Sequence, residues 1–552
     1  MLKGCTPWPT EFAETYRRAG YWRGQTLGDL LHAWAQAYGD SPAVISGDER
    51  VSYRSLDERA DRLASHLRRL GIGPGDRVVV QLPNIPEFLY LCFALFRLGA
   101  LPVLALPAHR EHEITHLVEF SAAIAYAVPS AFRGFDYRQL AERVQARVPT
   151  LKHVLVVGPG SERGVINLRA LLADPAGAGD AAGFPDRSRP DPSDVALFLL
   201  SGGTTGLPKL IPRTHDDYAY NFRASAELCG FSSKTRYLAA LPIGHNFPLG
   251  CPGVLGTLHN GGTAVLSESP DPDVALPVIE RERVTATGLV PAVVIRWLDS
   301  PERERYDLTS LRLLTVGGAR LNPETARRIR PVLGCQVQQV YGTAEGLLNY
   351  TRLDDPDEAV IETQGRPLSP HDEVRIVDFE DRPVSPGQPG QLLTRGPYTI
   401  RGYYRAEEQN RQAFTADGFY RMGDVVRLHP SGNFVVEGRV KDLINRGGEK
   451  ISPEEVENLI LGHPSVFNVT VVAMPDPVLG ERICAYVIPR PGKQVTLEEL
   501  RAFVEAKGVA RFKLPERLEV VDSFPLTSVG KINKMALRED IARKLRTGGV
   551  TV

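Results

Sequence analysis

Apolar residues recur at helical spacing from Leu27 to Ala37, behind Thr26, a residue suited to cap that run. Two short β-branched segments follow, Ala43-Val44-Ile45 and Val51-Ser52-Tyr53, on either side of the polar turn Gly47-Asp48-Glu49, and a second helix then leads to Gly71, Gly73 and Gly75. These glycines break into a strand from Arg77 to Leu82. The longest apolar run, Phe88 to Ala108, is interrupted by Arg97, Gly99, Pro102 and Pro107. It is too broken for a membrane span and predicts a buried helix followed by a core strand. Strands at Pro102-Val103-Leu104, His153 to Val157 and Thr263 to Leu266 alternate with helical patterns, a rhythm that predicts an α/β fold with largely parallel sheets.

The pattern changes along the chain. From Ala173 to Asp194 it loses all periodicity and reads as a surface loop. Strand-and-turn segments at Gly390 to Thr394 and Asn433 to Glu437 predict a β-rich subdomain. Beyond residue 440 a helix over Pro453 to Leu461, opened by Ser452 with Glu454 and Glu455 in its first turn, begins a small separate α/β domain. No internal repeat or coiled-coil heptad is present.

Composition narrows the function classes. The 552 residues carry 65 Lys and Arg against 66 Asp and Glu, a net charge of −1, which argues against a polyanion binder acting through bulk charge. Hydrophobic residues make up 43%, too many for a disordered chain, and Gly and Pro together about 17%. Six cysteines show neither a CxxC pair nor regular spacing, so reduced thiols in a cytoplasmic protein are expected. The stretch Met1 to Pro9 lacks the apolar segment of a signal peptide.

The strongest local signal runs from the strand Phe198-Leu199-Leu200 into Ser201-Gly202-Gly203-Thr204-Thr205-Gly206-Leu207-Pro208-Lys209. Glycines allow backbone N–H groups to approach a polyphosphate, hydroxyls add donors, and the lysine supplies counter-charge. It is not a Walker A loop, because Leu207-Pro208 separates Gly206 from Lys209 and proline forbids an immediate helix.

This segment resembles the phosphate loop of the acyl-adenylate-forming superfamily. Further matches follow in the family's order: Val316-Gly317-Gly318-Ala319, Tyr341-Gly342-Thr343-Ala344-Glu345, Tyr420 to Asp424, Gly438 to Asp442, Asn445 to Lys450 and Thr527 to Ile532. The resemblance implies a large N-terminal domain, residues 1–440, of two parallel-rich sheets plus a β-rich subdomain. A small mobile C-terminal α/β domain, residues 441–552, would carry the catalytic lysine.

The implied chemistry joins a carboxylate to the α-phosphate of ATP. By resemblance, Glu345 holds Mg²⁺ and Lys531 meets the α-phosphate and the substrate carboxylate. Asp424 would accept from the ribose hydroxyls, Arg439 would lie near the ribose or the phosphates, Gly317-Gly318-Ala319 would let the base pack on backbone, and Tyr341 would stack on adenine. Many relatives carry Thr where this chain has Ala344, which leaves Thr343 as the neighbouring hydroxyl. Lys441 corresponds to the hinge, and Gly447-Gly448 to the loop that lines the pantetheine tunnel.

For the acid, His245-Asn246-Phe247-Pro248-Leu249 resembles the aryl acid branch, stand-alone enzymes that activate salicylate or 2,3-dihydroxybenzoate and load an aryl carrier protein. Asn246 offers donor and acceptor to an ortho-hydroxyl and its carboxylate, and Phe247 offers an aromatic wall. No acid stands here to hold an α-ammonium group, which disfavours amino-acid activation. Gly318 and Lys531 would complete the aryl site. At Cys251 and Leu348, dihydroxybenzoate enzymes look like Ser and Val and salicylate enzymes like Cys and Leu, which points to salicylate. Alternatives are 2,3-dihydroxybenzoate, 3-hydroxypicolinate, 3-hydroxyanthranilate, or an aryl-CoA ligase. Siderophore and aryl-capped antibiotic synthesis both fit. From Lys534 onward the tail is basic and reads as a solvated helix face, with docking to an acidic carrier as the second reading. No nucleic-acid or membrane partner is expected.

Overall fold

The computed structural model describes residues 1–158, 164–174, 190–201, 207–447, 449–527 and 531–547. Phosphate-loop residues Gly202, Gly203, Thr204, Thr205 and Gly206, most of the aperiodic stretch after Ala173, and Gly448 lie outside the described residues.

Two large sheets form the body. The first has nine strands, and the parallel core runs through Gln336–Thr343, Leu313–Gly317, Ala286–Leu289, Arg236–Ala239, Thr263–Leu266 and Pro42–Ser46. Antiparallel strands close both edges. The second has seven strands, parallel from Val195–Leu200 through Leu101–Leu104, Arg77–Val80, Ala125–Pro129 and His153–Val157 to Val165–Asn167, with Leu210–Thr214 added antiparallel. Strand residues such as Ala125, Ala127 and Val128 are wholly buried, as continuous β-branched and small apolar runs require in parallel sheets.

The broken apolar run becomes the helix Pro86–Leu98 and the strand Leu101–Leu104. Gly99 ends the helix at φ +65°, a conformation that glycine adopts without penalty. Its one charged residue in the last turn, Arg97, pairs with Asp57 and Asp61 on the helix Tyr53–Arg69. Thr26 caps Leu27–Tyr38 in a capping box with Asp29.

The β-rich subdomain is a four-stranded antiparallel sheet, Glu373–Val377, Gly390–Arg395, Tyr420–Leu428 and Phe434–Arg439. A three-residue 3₁₀ turn, Val440–Asp442, then leads to a five-stranded C-terminal sheet centred on the long hairpin Val466–Asp476 and Gly480–Pro489. That sheet has its own apolar core, built on Ile444, Val456, Val471 and Leu500. Ser452 caps Pro453–Leu461 by accepting from the Glu455 N–H.

The basic tail is only in part the expected solvated face: Arg543 and Arg546 are exposed, whereas three other cations are held by carboxylates. In the helix Lys534–Thr547, Lys534 pairs with Glu454 and Glu457, Arg538 with Asp442, and Lys544 with Glu519 and Asp540. Asp540 lies on the helix itself, and the other partners come from earlier segments of the same domain, brought close only by its folding.

Candidate active site

In parallel sheets, strand carboxyl ends leave the backbone free to bind ligands. A cavity of about 610 Å³ lies there, beyond Val195–Leu200, Leu313–Gly317 and Gln336–Thr343. It has two chemically distinct ends.

One end is apolar. Phe247, Cys251 and Leu348 line it together with Asn246, and all four are nearly inaccessible to solvent. His245 caps the short helix Asn246–Gly250: its Nδ1 accepts from the Phe247 N–H at 3.2 Å, which puts the ring proton on Nε2. Burial pushes the imidazole down to about 4, with Lys531 adding to the effect, so it is neutral at pH 7. At Cys251 burial raises the thiol to about 12, so it is present as S–H. Gly318 continues this wall at φ +82°; a β-carbon there would lie 3.2 Å from Val290 Cγ1 and 3.8 Å from Lys531 Cε.

The other end is charged and includes Ser201, Lys209, Glu345, Arg439, Lys441 and Lys531, with Gly342 and Thr343 on the same wall. Ser201 and Lys209 close the base of the phosphate loop: the Lys209 N–H donates to Ser201 Oγ at 3.0 Å, and the Ser201 N–H to the Lys209 carbonyl at 3.0 Å. Thr343 Oγ1 donates to the Gly346 carbonyl at 3.0 Å, so the hydroxyl beside Ala344 closes a turn and keeps its lone pairs for other donors.

Lys531 enters from the C-terminal domain, anchored by its N–H to Thr527 Oγ1 at 3.1 Å and by its carbonyl, which accepts from the Thr527 N–H at 2.7 Å. Burial pulls its ammonium down to about 8, assisted by the positive charge of Arg439. Arg439 itself is held above the ordinary guanidinium range, chiefly by Asp424. Asp424 Oδ1 pairs with Arg439 at 2.8 Å, and Oδ2 accepts from the Tyr341 hydroxyl at 2.8 Å. Each oxygen retains a second lone pair.

Several expected site residues lie outside the cavity lining. Tyr341, Asp424, Gly317 and Ala319 stand behind or beside it. Gly317 is fixed there by close packing, since a β-carbon would sit 2.7 Å from the Val340 carbonyl oxygen. Gly447 is an exposed turn residue whose N–H donates to the Leu479 carbonyl at 2.8 Å, and the structure does not bring it to the cavity. In this arrangement the C-terminal domain presents Lys531 instead. Tyr403 was not singled out by the sequence pattern: its hydroxyl donates to Glu345 Oε1 at 2.8 Å and contacts the Tyr420 hydroxyl at 3.1 Å, while Lys209 Nζ lies 4.5 Å from its ring centre.

The chain is similar along almost its whole length to characterised proteins. It is 56% identical over 548 residues to a 2,3-dihydroxybenzoate-AMP ligase of Bacillus subtilis, covering 99% of each chain. It is 57% identical to a salicylyl-CoA synthase / salicylate adenylyltransferase of a Streptomyces species, covering 98% of each. Among solved structures, the apo structure of MbtA from Mycobacterium smegmatis aligns with TM-score 0.73 at 46% identity, over 97% of this chain and 98% of that one. Residues 31–404 match the AMP-binding enzyme family and residues 455–531 its C-terminal domain. The chain belongs to the AMP-binding enzyme family, and within it to the aryl acid AMP ligase branch.

Proposed function

We propose that this protein activates salicylate with ATP and transfers the acyl group to the pantetheine thiol of an aryl carrier protein. The supporting observation is that one cavity combines an apolar wall of Phe247, Cys251 and Leu348 with the cations Lys209, Arg439 and Lys531. A flat aromatic acid fills the first with its carboxylate directed at the second.

In the first step a carboxylate oxygen attacks the α-phosphorus and the bond to the bridging oxygen breaks, releasing pyrophosphate. The obstacle is repulsion between anions. Lys531, protonated below about pH 8, neutralises both reactants as they approach, and Arg439 adds charge that never titrates. Lys209 and the phosphate loop would hold the β- and γ-phosphates. Neutral His245 presents Nε2–H as a donor without adding a charge beside Lys531. Asp424, oriented by Tyr341 and Arg439, is suited to accept from ribose hydroxyls, and Tyr341 would then border the adenosine together with the backbone of Gly317, Gly318 and Ala319.

Glu345 is a single carboxylate with Oε1 already oriented by Tyr403, and no cluster of three or more His, Cys, Asp or Glu able to hold an ion occurs among the described residues. That donor set suits Mg²⁺, which takes one or two carboxylates and completes its shell with water and substrate phosphates. Glu345 would hold it, and when bound it would neutralise developing phosphate charge.

In the second step a thiolate attacks the acyl carbon and AMP leaves. We place the domain boundary at 440/441, where the four-stranded sheet ends at Arg439 and the 3₁₀ turn begins, with Lys441 as hinge and Gly447-Gly448 as the loop that would reach the pantetheine tunnel after rotation. The salicylyl-CoA synthase among the relatives favours coenzyme A as a second acceptor. All six cysteines are free, in keeping with a cytoplasmic, reducing compartment.

The test is acid-dependent ATP–pyrophosphate exchange with salicylate, 2,3-dihydroxybenzoate, 3-hydroxypicolinate, 3-hydroxyanthranilate and benzoate, followed by thioester formation on a holo-carrier protein and on coenzyme A. Salicylate preference with carrier loading is expected. Preference for another aryl acid discards the ring assignment, and thioester formed on coenzyme A alone discards the carrier.

A further inference from the structure

Behind the aryl end lies a polar network that the steps above leave unused. Tyr218, on the helix His215–Leu228, is fully buried and stands outside the cavity lining. Its hydroxyl donates to Asn246 Oδ1 at 2.9 Å, and Asn246 Nδ2 donates to Cys251 Sγ at 3.4 Å. Asn246 and Cys251 both face the cavity. Turning the Asn246 amide over would leave the phenol proton without an acceptor, because Asn246 is the hydrogen-bond partner of that hydroxyl among the described residues. Burial keeps the phenol protonated by raising it well above its ordinary value.

A neighbouring amide is fixed in the same way. Buried Arg213 pairs with Asp217 at 2.7 Å and donates to Asn221 Oδ1 at 3.3 Å. Asn221 Nδ2 is thereby turned to the Gly250 carbonyl at 2.7 Å and to Cys251 Sγ at 4.0 Å. Cys251 therefore faces the N–H groups of both amides, and the second hydrogen on Asn246 Nδ2 remains for the ring.

We infer that Tyr218 is a positioning residue that selects the ortho substituent of the acid: by holding the Asn246 carbonyl turned towards itself, outside the cavity lining, it presents the N–H side of the amide to the ring, so that an ortho-hydroxyl is taken and an ortho-amine refused. This rests on the aryl acid reading above. An ortho-hydroxybenzoate donates its O–H to its own carboxylate and keeps oxygen lone pairs for Asn246. An ortho-aminobenzoate donates one N–H to its carboxylate and directs the other at Asn246, where two donors face each other, while its nitrogen lone pair is delocalised into the ring. On this ground 3-hydroxyanthranilate is disfavoured and 3-hydroxypicolinate, with its ortho-hydroxyl, is not.

The experiment measures kcat/KM in ATP–pyrophosphate exchange for salicylate, anthranilate and benzoate, with wild type and Tyr218→Phe. Wild type is expected to prefer salicylate to anthranilate by ~100-fold or more, since a site built around one hydrogen-bond pattern rejects the opposite one strongly. Tyr218→Phe frees the amide to turn and should lower that ratio about tenfold, mainly by a gain of anthranilate relative to benzoate. An unchanged ratio overturns the inference, as does an equal fall for all three acids, which marks a structural role only. Exchange with none of the three in wild type overturns the aryl acid reading itself, and the inference with it. Should Tyr218→Phe fail to fold, Asn246→Asp decides: it places an acceptor at the ring, so anthranilate should gain about tenfold on salicylate, and no gain overturns the inference.

Discussion

The Tyr403 hydroxyl donates to Glu345 Oε1 at 2.8 Å, so the carboxylate assigned to Mg²⁺ is oriented before any ion arrives. Glu345 lies on the turn between two strands of the nine-stranded sheet, whereas Tyr403 follows 58 residues later in a loop. Tyr403→Phe is expected to raise the Mg²⁺ concentration for half-maximal exchange about tenfold, as loss of a partner that orients a metal ligand does. The KM for the aryl acid should change far less. Titrating Mg²⁺ at fixed ATP and acid checks this, and an equal shift in both parameters refutes it.

Removing the buried ammonium should separate the two half-reactions. Lys531→Ala is expected to slow adenylation by ~10²–10³-fold, the scale of losing a charge aimed at a developing anion. Thioester formation from supplied salicyl-adenylate should stay near the wild-type rate. Single-turnover assays of each step test this, and an equal loss in both would remove the division of labour assigned to Lys531.

Acid–base behaviour follows from the same lysine. Its ammonium is lowered to about 8 from an ordinary value of 10.5, so the useful, protonated form is present below about pH 8 and is lost above it. For adenylation kcat/KM should therefore fall as pH rises through about 8. His245, pushed down to about 4, should add no inflection between pH 5 and 7. Lys531→Arg should extend the plateau to higher pH if the fork is accommodated. A profile that falls with acid near 6.5 and stays flat above 8 contradicts both assignments.

Cys251 and Leu348 line one end of one cavity and are both almost fully buried. Cys251→Ser supplies a hydroxyl and Leu348→Val withdraws a methylene, and together they should raise activity with 2,3-dihydroxybenzoate relative to salicylate by about 10–100-fold. Competition between the two acids in one exchange assay reads the ratio. No change would place specificity elsewhere in the wall.

The sequence is legible where local pattern and packing agree. The strands His153–Val157 and Thr263–Leu266 and the helix Pro453–Leu461 fall where apolar period, caps and turns put them. The resemblance to the family likewise singled out Lys531, Glu345, Asn246, Cys251 and Leu348, which all line one cavity. Tyr403, Tyr218 and Arg213 were not legible, because each acts through a partner supplied by folding. Arg213 is enclosed by Asp217 and by the carbonyl of Ala344, 131 residues further along the chain. The basic tail misled for the same reason: Glu454 and Glu457, which hold Lys534, lie about eighty residues upstream.

That pairing has a consequence for direction. Because Lys534, Arg538 and Lys544 grip their own domain, Lys531 rides three residues ahead of a stiff arm and travels wherever the domain goes. Contacts to the body near the turn include two polar ones, Asn322 Nδ2 to Asn458 Oδ1 at 3.2 Å and the Ser452 hydroxyl to the Glu437 carbonyl. A rotation that withdraws the arm would strip the cavity of Lys531 at a stroke. Pyrophosphate returning to an adenylate already made would then meet Lys209 and Arg439 but no longer Lys531, so the arm would work as a ratchet pawl that favours activation over its reversal.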